Sequence, residues 1–346
     1  MKGNSQIKVI QIAISKKTRG GITTVLNNWE DSPIWKKYHC KWIETQDNRG
    51  IQYKLYYLFS SFFKAIFYFY KFDIVHLHTV PGNSILVQMP VFLIALMYRR
   101  KTILHLHVGN QLELHSRDRI FRWVLSKADR IVVLAHTIEK ILKDTYSVPE
   151  SKIKVIYNPA PVVDGIFTKD KYILFMAYLT KNKGYDVVLE AFSKVSKSYP
   201  DWELIIAGSG EIDKAKAIVK EKGLDNQVDI RPWVSGREKE SLFQHASGYC
   251  MASYMEGFPM SVLEAFAYGC PLITTPVGGL PDVLHDGENA LVFNFGDIIE
   301  LQAKIEQLLS SNELRTKLSI ASRDLSKNVF GMASIEKELD CLYRSI

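Results

Sequence analysis

Residues 248–275 read GYCMASYMEGFPMSVLEAFAYGCPLITT, an apolar β-type run, a loop, a helical stretch and a second β-type run. The first run, GYCMAS, closes near Ser253. Pro259 suits the first turn of the helix that follows, where an N–H would have no intrahelical partner. Gly269 is a candidate C-cap before the strand PLITT. A strand, a helix and another strand in about thirty residues make a crossover unit, which joins parallel strands.

The same rhythm runs outward in both directions. IKVIQIAI, DIVHLH, TILHLH, RIVVLA and KVIYN precede this unit, followed by YILFMAY, ELIIAG and VDIRPW; ALVF comes after it. Helical stretches separate most of these runs, and strands so rich in apolar residues imply parallel sheets covered on both faces. The segment YNPAPVVDGIFTKDK, Tyr157 to Lys171, interrupts the pattern with turn and breaker residues. Two doubly wound α/β domains are therefore expected, 1–163 and 164–328. Beyond Asn294 only helices are expected, near 296–310, 312–327 and 333–345. Ligands of such domains bind at the carboxyl ends of the strands, and a two-domain chain offers the cleft between them.

The 346 residues carry a formal charge of +7. Residues 1–158 hold 24 Lys and Arg against 11 Asp and Glu, and residues 159–346 hold 20 against 26. The basic half suits nucleic acid, anionic lipid or phosphorylated substrates, and the sign alone does not choose among them. Cys40, Cys250, Cys270 and Cys341 are widely spaced and give no disulfide or zinc framework. With no secretory signal at the start, a reducing, cytoplasmic setting is expected. The nearly apolar run Ser84–Tyr98 is short of the roughly 20 residues that cross a bilayer and reads as a buried helix.

Within the opening stretch, Glu256 falls in the loop and Glu264 in the second helical turn. The amides of Met260, Ser261 and Val262, with the helix dipole behind them, form a candidate anion seat that fits a diphosphate. Ionised carboxylates accept hydrogen bonds only, so beside a phosphoester they suit sugar hydroxyls. A nucleotide sugar combines the two. Glu264 as an ordinary helix residue, with Glu256 facing the dipole, is the plain alternative, and a glycosidase acid–nucleophile pair is another.

Residues 253–293, SYMEGFPMSVLEAFAYGCPLITTPVGGLPDVLHDGENALVF, resemble the signature of the retaining glycosyltransferases of family 4, with E-x7-E, the G-x-P-L-I-T-T strand, the Gly-Gly turn and D-G-E-N-A in order. Weaker likeness covers YLTKNKGYDVVLEAF, IIAGSGE and RGGITTVL. The resemblance implies the GT-B fold, two Rossmann-like domains facing each other across a deep cleft, with the last helix, about 329–346, returning to the N-terminal domain. It implies a nucleotide-sugar donor, UDP- or GDP-linked, in the C-terminal domain and a glycan or lipid-linked phosphorylated acceptor at the N-terminal one, in cell-surface polysaccharide biosynthesis. Glu256 would contact hydroxyls of the transferred sugar, Glu264 the ribose, and Lys183 the diphosphate, with Gly257 and Phe258 lining the same site. The family's arginine five residues before that lysine is here Tyr178, which removes a bidentate fork; Lys181 is a candidate substitute.

Gly20 and Gly21, after Arg19, match the family's Gly-Gly loop, where backbone N–H groups approach phosphate; Gly278 and Gly279 carry the same reading. His76, His78, His105 and His107 alternate on two strands. The resemblance gives His107 a role in orientation and charge stabilisation near the reacting carbon, and the other three read as structural. Gly208-x-Gly210 lacks the third glycine of a dinucleotide fingerprint, no ATP loop motif occurs, and no D-x-D points to a metal. A metal-independent reaction without a cofactor is expected. A nucleotide-sugar epimerase of similar fold and a non-catalytic nucleotide-sugar binding protein are the alternatives. No nucleic-acid-binding module is recognised.

The segment Tyr53–Phe72, YKLYYLFSSFFKAIFYFYKF, holds 11 aromatic residues with lysines at 54, 64 and 71. It reads first as a core helix under its own sheet, and second as a helix at the inner face of an anionic membrane.

Overall fold

The computed structural model describes residues 6–18 and 20–346, so Arg19 and the first five residues lie outside the described part. The chain divides into two units, one of residues 1–159 with 332–346, the other of residues 160–331.

The first unit is a six-stranded parallel sheet. Its elements are β1 (Val9–Ala13), α1 (Gly21–Glu30), α2 (Pro33–Lys37), β2 (Lys41–Glu44), α3 (Ile51–Tyr68), β3 (Ile74–Thr79), α4 (Asn83–Met97), β4 (Lys101–Leu106), α5 (Arg119–Lys127), β5 (Arg130–Val133), α6 (His136–Tyr146) and β6 (Ile153–Val155). The strand order is β2-β1-β3-β4-β5-β6. β1 and β3 are buried on both faces along their whole length, which is why they read as continuous apolar runs and not as alternating ones. β2 escaped the sequence reading because KWIE is only four residues long with a single fully buried member, Ile43.

Helix α3 is not a core helix. Its buried residues are Tyr57, Ser61 and Ala65, four apart, so the stripe against the protein is made mainly of small side chains. The large rings point away: Tyr56, Phe59, Phe63 and Phe67 are all more than half exposed. Aromatic content alone suggested burial, and the four-residue spacing of the small residues is what decides the orientation. The run expected to be a buried helix, α4, is only partly so, with Ile85, Val91, Phe92 and Ala95 inside and Leu86, Leu93 and Met97 exposed. Among the described residues no helix is long and apolar enough to cross a membrane.

The second unit repeats the plan with β7 (Asp170–Met176), α7 (Tyr185–Val195), β8 (Glu203–Ala207), α8 (Ile212–Lys222), β9 (Val228–Arg231), α9 (Gly236–His245), β10 (Ala246–Met251), α10 (Met260–Ala267), β11 (Leu272–Thr274), β12 (Leu291–Val292), α11 (Ile298–Ser310) and α12 (Asn312–Asp324). The order β12-β11-β10-β7-β8-β9 is again parallel. β8 and β9 lie on one side of β7, and the chain then returns to place β10 on the other side. The loops after β7 and β10 therefore diverge from a switch point, the place where open α/β sheets bind ligands. The final helix, α13 (Met332–Arg344), belongs to the first unit, where Tyr343 is buried.

Candidate functional site

The loop after β7 carries Tyr178, more than half exposed, then the buried Leu179 and a single 3-10 turn, Lys181–Lys183. Gly184 ends the turn at φ 71°, and a Cβ there would lie 2.2 Å from the Ala252 carbonyl oxygen, so only glycine lets this loop lie against the end of β10. The Tyr254 N–H donates to the Asn182 carbonyl at 2.8 Å and joins the two loops. Lys183 is thereby carried to Glu256, its Nζ 2.5 Å from Oε1. The Ser253 hydroxyl donates to the same oxygen at 2.7 Å, and the Ser253 carbonyl accepts from the Thr275 hydroxyl at 2.6 Å.

Gly278 and Gly279 serve this loop and not an open phosphate cradle. Gly278 has φ 61°, and a Cβ would meet the Gly257 carbonyl oxygen at 2.1 Å and that of Glu256 at 2.7 Å. The Gly279 N–H donates to the Gly257 carbonyl at 2.9 Å, so it is already engaged. The pair clamps the Glu256–Gly257 segment. Gly208 and Gly210 likewise permit close approach, to the Ala177 and Leu179 carbonyls.

Helix α10 starts one residue later than expected, with Pro259 as its N-cap. The Val262 N–H donates to the Pro259 carbonyl at 3.1 Å, which removes it from the proposed anion seat and leaves Met260 and Ser261 as the candidate donors. Phe258 is buried against Phe330 at 5.1 Å between centroids, so its ring is a packing group. Glu264, on the next turn, pairs with Lys239 of α9 at 2.6 Å. Both carboxylates are therefore ion-paired, each to a lysine that is about 30% exposed and able to swing to another anion. Lys239 lies outside every motif and was invisible in the sequence, while Ser253 and Thr275 lie within the signature stretch but the resemblance gives them no role.

In the first unit, Gly20 precedes α1 with φ 156° and Gly21 is its first residue. His78 and His105 are register partners on β3 and β4, so His76, His78, His105 and the following His107 stand on one face of the sheet as two pairs staggered by two residues, with His76 opposite Ile103. The rings stack closely, His105 on His107 at 4.3 Å and His76 on His78 at 4.6 Å. Burial holds His76 and His107 down to about 3 and pushes His78 and His105 well below the usual imidazole range. His107 is consequently held toward its neutral form, so the role in orientation and charge stabilisation falls to what its ring nitrogens can accept or donate. Nitrogens of His76, His78 and His105 lie within 4.8 Å of one another. Their rings are within 18–34° of parallel, so the in-plane lone pairs run side by side where a metal needs them convergent.

The profile of a family described as "Glycosyl transferases group 1" matches residues 160–325, and that of "Glycosyltransferase Family 4" matches residues 44–162. An uncharacterized glycosyltransferase of Haemophilus influenzae is 27% identical over 219 residues, 62% of this chain and 61% of the relative. The Campylobacter jejuni enzyme named "GalNAc-alpha-(1->4)-GalNAc-alpha-(1->3)-diNAcBac-PP-undecaprenol alpha-1,4-N-acetyl-D-galactosaminyltransferase" is 26% identical over 194 residues, 54% of this chain and 53% of the relative. The matched stretch thus spans less than two thirds of either relative. Among solved structures, HepE of Anabaena in complex with UDP superposes with TM-score 0.77 at 14% identity, covering 98% of this chain and all of the other, a likeness of fold.

Proposed function

Since this chain belongs to the group 1, family 4 glycosyltransferases, we propose that it moves a sugar, with retention of configuration, from a UDP- or GDP-sugar to a hydroxyl of a glycan or lipid-linked glycan in cell-surface polysaccharide synthesis. The observation that carries this reading is the meeting of Lys183 and Ser253 on Glu256 at the switch point of the second unit. The UDP held by HepE and the lipid-linked glycan in the Campylobacter enzyme's name support the donor and acceptor classes.

An incoming diphosphate competes with Glu256 for Lys183. As the ammonium turns to the phosphates, it offsets the negative charge that grows on the leaving group. The freed Glu256 oxygen then accepts from hydroxyls of the sugar, while the Ser253 hydroxyl keeps the carboxylate in place. The amides of Met260 and Ser261 add donors at the helix start. Lys239 holds one oxygen of Glu264 and leaves the other for the ribose. The acceptor hydroxyl attacks on the face the diphosphate leaves and gives its proton to a phosphate oxygen, with His107 bearing on the sugar. No divalent cation is assigned a part.

The first unit takes the acceptor. The outward rings of α3, flanked by Lys54, Lys64 and Lys71, match an anionic bilayer, lysines at the head groups and rings below. Flotation of the full chain with anionic liposomes, compared with neutral ones and with a Phe59→Ser/Phe63→Ser variant, tests the surface. Salt-sensitive flotation of wild type alone is expected, and equal behaviour of all samples would refute it. For the chemistry, wild type and Glu256→Gln are assayed for transfer from UDP- and GDP-sugars to lipid-linked glycans. A loss on the order of a hundredfold is expected in the variant. Donor binding without turnover in wild type would instead mark a binding protein.

A further inference from the structure

Five buried or partly buried side chains of the first unit form one continuous hydrogen-bond chain. His107 Nε2 lies 2.9 Å from His78 Nδ1, and His78 Nε2 lies 2.9 Å from Gln11 Oε1. Gln11 Nε2 donates to the Tyr343 hydroxyl at 3.0 Å, and that hydroxyl lies 2.9 Å from His76 Nδ1. Gln11 comes from β1, the histidines from β3 and the end of β4, and Tyr343 from α13, so the C-terminal helix closes the chain.

With the Gln11 carbonyl toward His78, the protons of His78 and His107 follow from the donors and acceptors. A carbonyl oxygen only accepts, so the His78 proton must sit on Nε2, facing Gln11. Neutral His78 then has a bare Nδ1, which obliges His107 to donate from Nε2. At the other end the phenol accepts from Gln11 and pairs with His76 Nδ1. Burial keeps all three imidazoles neutral, so no member escapes the pattern by taking a second proton. Turning the Gln11 amide over would reverse each bond in succession. The chain has two consistent states, and the amide orientation selects one.

We propose that Gln11 and Tyr343, acting through His78, set the tautomer of His107, so that its Nδ1 is an unprotonated acceptor; they are positioning residues for the transfer reaction. The kinetic part rests on the role proposed for His107, whereas the tautomer stands on the hydrogen bonds alone. Cys40, whose thiol is pushed up to about 12 by burial, lies 3.8 Å from Gln11 Nε2 and adds a weak acceptor on the same side.

The experiment is imidazole ¹⁵N–¹H correlation on the full-length protein at pH 7.5 without substrates, with His107 assigned by a His107→Asn sample. Wild type is expected to carry the His107 proton on Nε2, and Gln11→Leu to shift it toward Nδ1. Tyr343→Phe, which keeps its ring in the packing, is expected to shift it the same way and serves if Gln11→Leu does not fold. In transfer assays kcat should fall at least about tenfold in these variants, with donor KM unchanged. A wild-type proton on Nδ1, or a tautomer indifferent to both substitutions, overturns the proposal. Tautomers that follow Gln11 in a protein that transfers no sugar would sink the proposed function and leave the relay standing.

Discussion

Acid should unfold the first unit well before it affects an ordinary α/β domain. His76, His78 and His105 are fully buried, capped by Trp29 at 5.3–6.0 Å between centroids and bordered by Tyr343. Their folded-state proton affinities are depressed, to about 3 for His76, so the unfolded chain takes up protons near pH 6.5 that the folded chain refuses. Stability is then full above about pH 7 and falls with pH across the window down to about 3, each imidazole contributing a slope approaching roughly 1.4 kcal/mol per pH unit. Between pH 7 and 5.5 the loss is roughly 1 kcal/mol per histidine, or about 4 kcal/mol for these three together with His107, a large part of a typical stability of roughly 5–15 kcal/mol. Urea unfolding followed by tryptophan fluorescence at pH 7.5, 6.5 and 5.5 measures this, because four of the six tryptophans, Trp29, Trp35, Trp42 and Trp123, report on the first unit. In His105→Leu, which removes a ring whose two buried nitrogens lack partners among the described residues, the pH dependence should drop by about a quarter. A midpoint that does not move between pH 7.5 and 5.5, or native imidazoles titrating near pH 6.5, would refute the reasoning.

Two further outcomes follow from the second unit. Gly278→Ala places a Cβ 2.1 Å from the Gly257 carbonyl at φ 61°, so it should displace the Glu256 loop and cost about 1–3 kcal/mol in urea unfolding, with transfer falling more steeply than stability; an unchanged midpoint and rate would remove the clamp role. Lys239→Met frees Glu264 from its ion pair and should raise the donor KM several-fold with kcat nearly constant, whereas a fall in kcat alone would contradict its assignment to ribose binding.

The strand–helix rhythm was legible because buried parallel strands are apolar throughout, and each of the named runs forms a strand. The neighbours of those strands were not legible, since β10 pairing with β7 is set by sheet topology and leaves no local trace. The position of Glu256 beside Lys183 depends on that pairing and on close contacts at Gly184 and Gly278, where the sequence showed glycines without the carbonyls they face. Lys239 meets Glu264 across 25 residues of chain, and Tyr343 meets Gln11 across 332, distances over which spacing says nothing. Helix α3 shows the opposite case: its small residues at four-residue spacing were visible, and the eleven rings drew attention from them.

The central claim is that the paired carboxylates and Lys183 of the second unit hold a nucleotide-diphosphate sugar. The direct measurement is a thermal-shift panel of UDP-, GDP-, ADP- and CMP-sugars on wild type and Lys183→Ala. One donor class at 100 times its Kd should stabilise wild type by roughly 2.7 kcal/mol and the variant far less. No shift of wild type with any donor, or an equal shift in both proteins, would contradict the account.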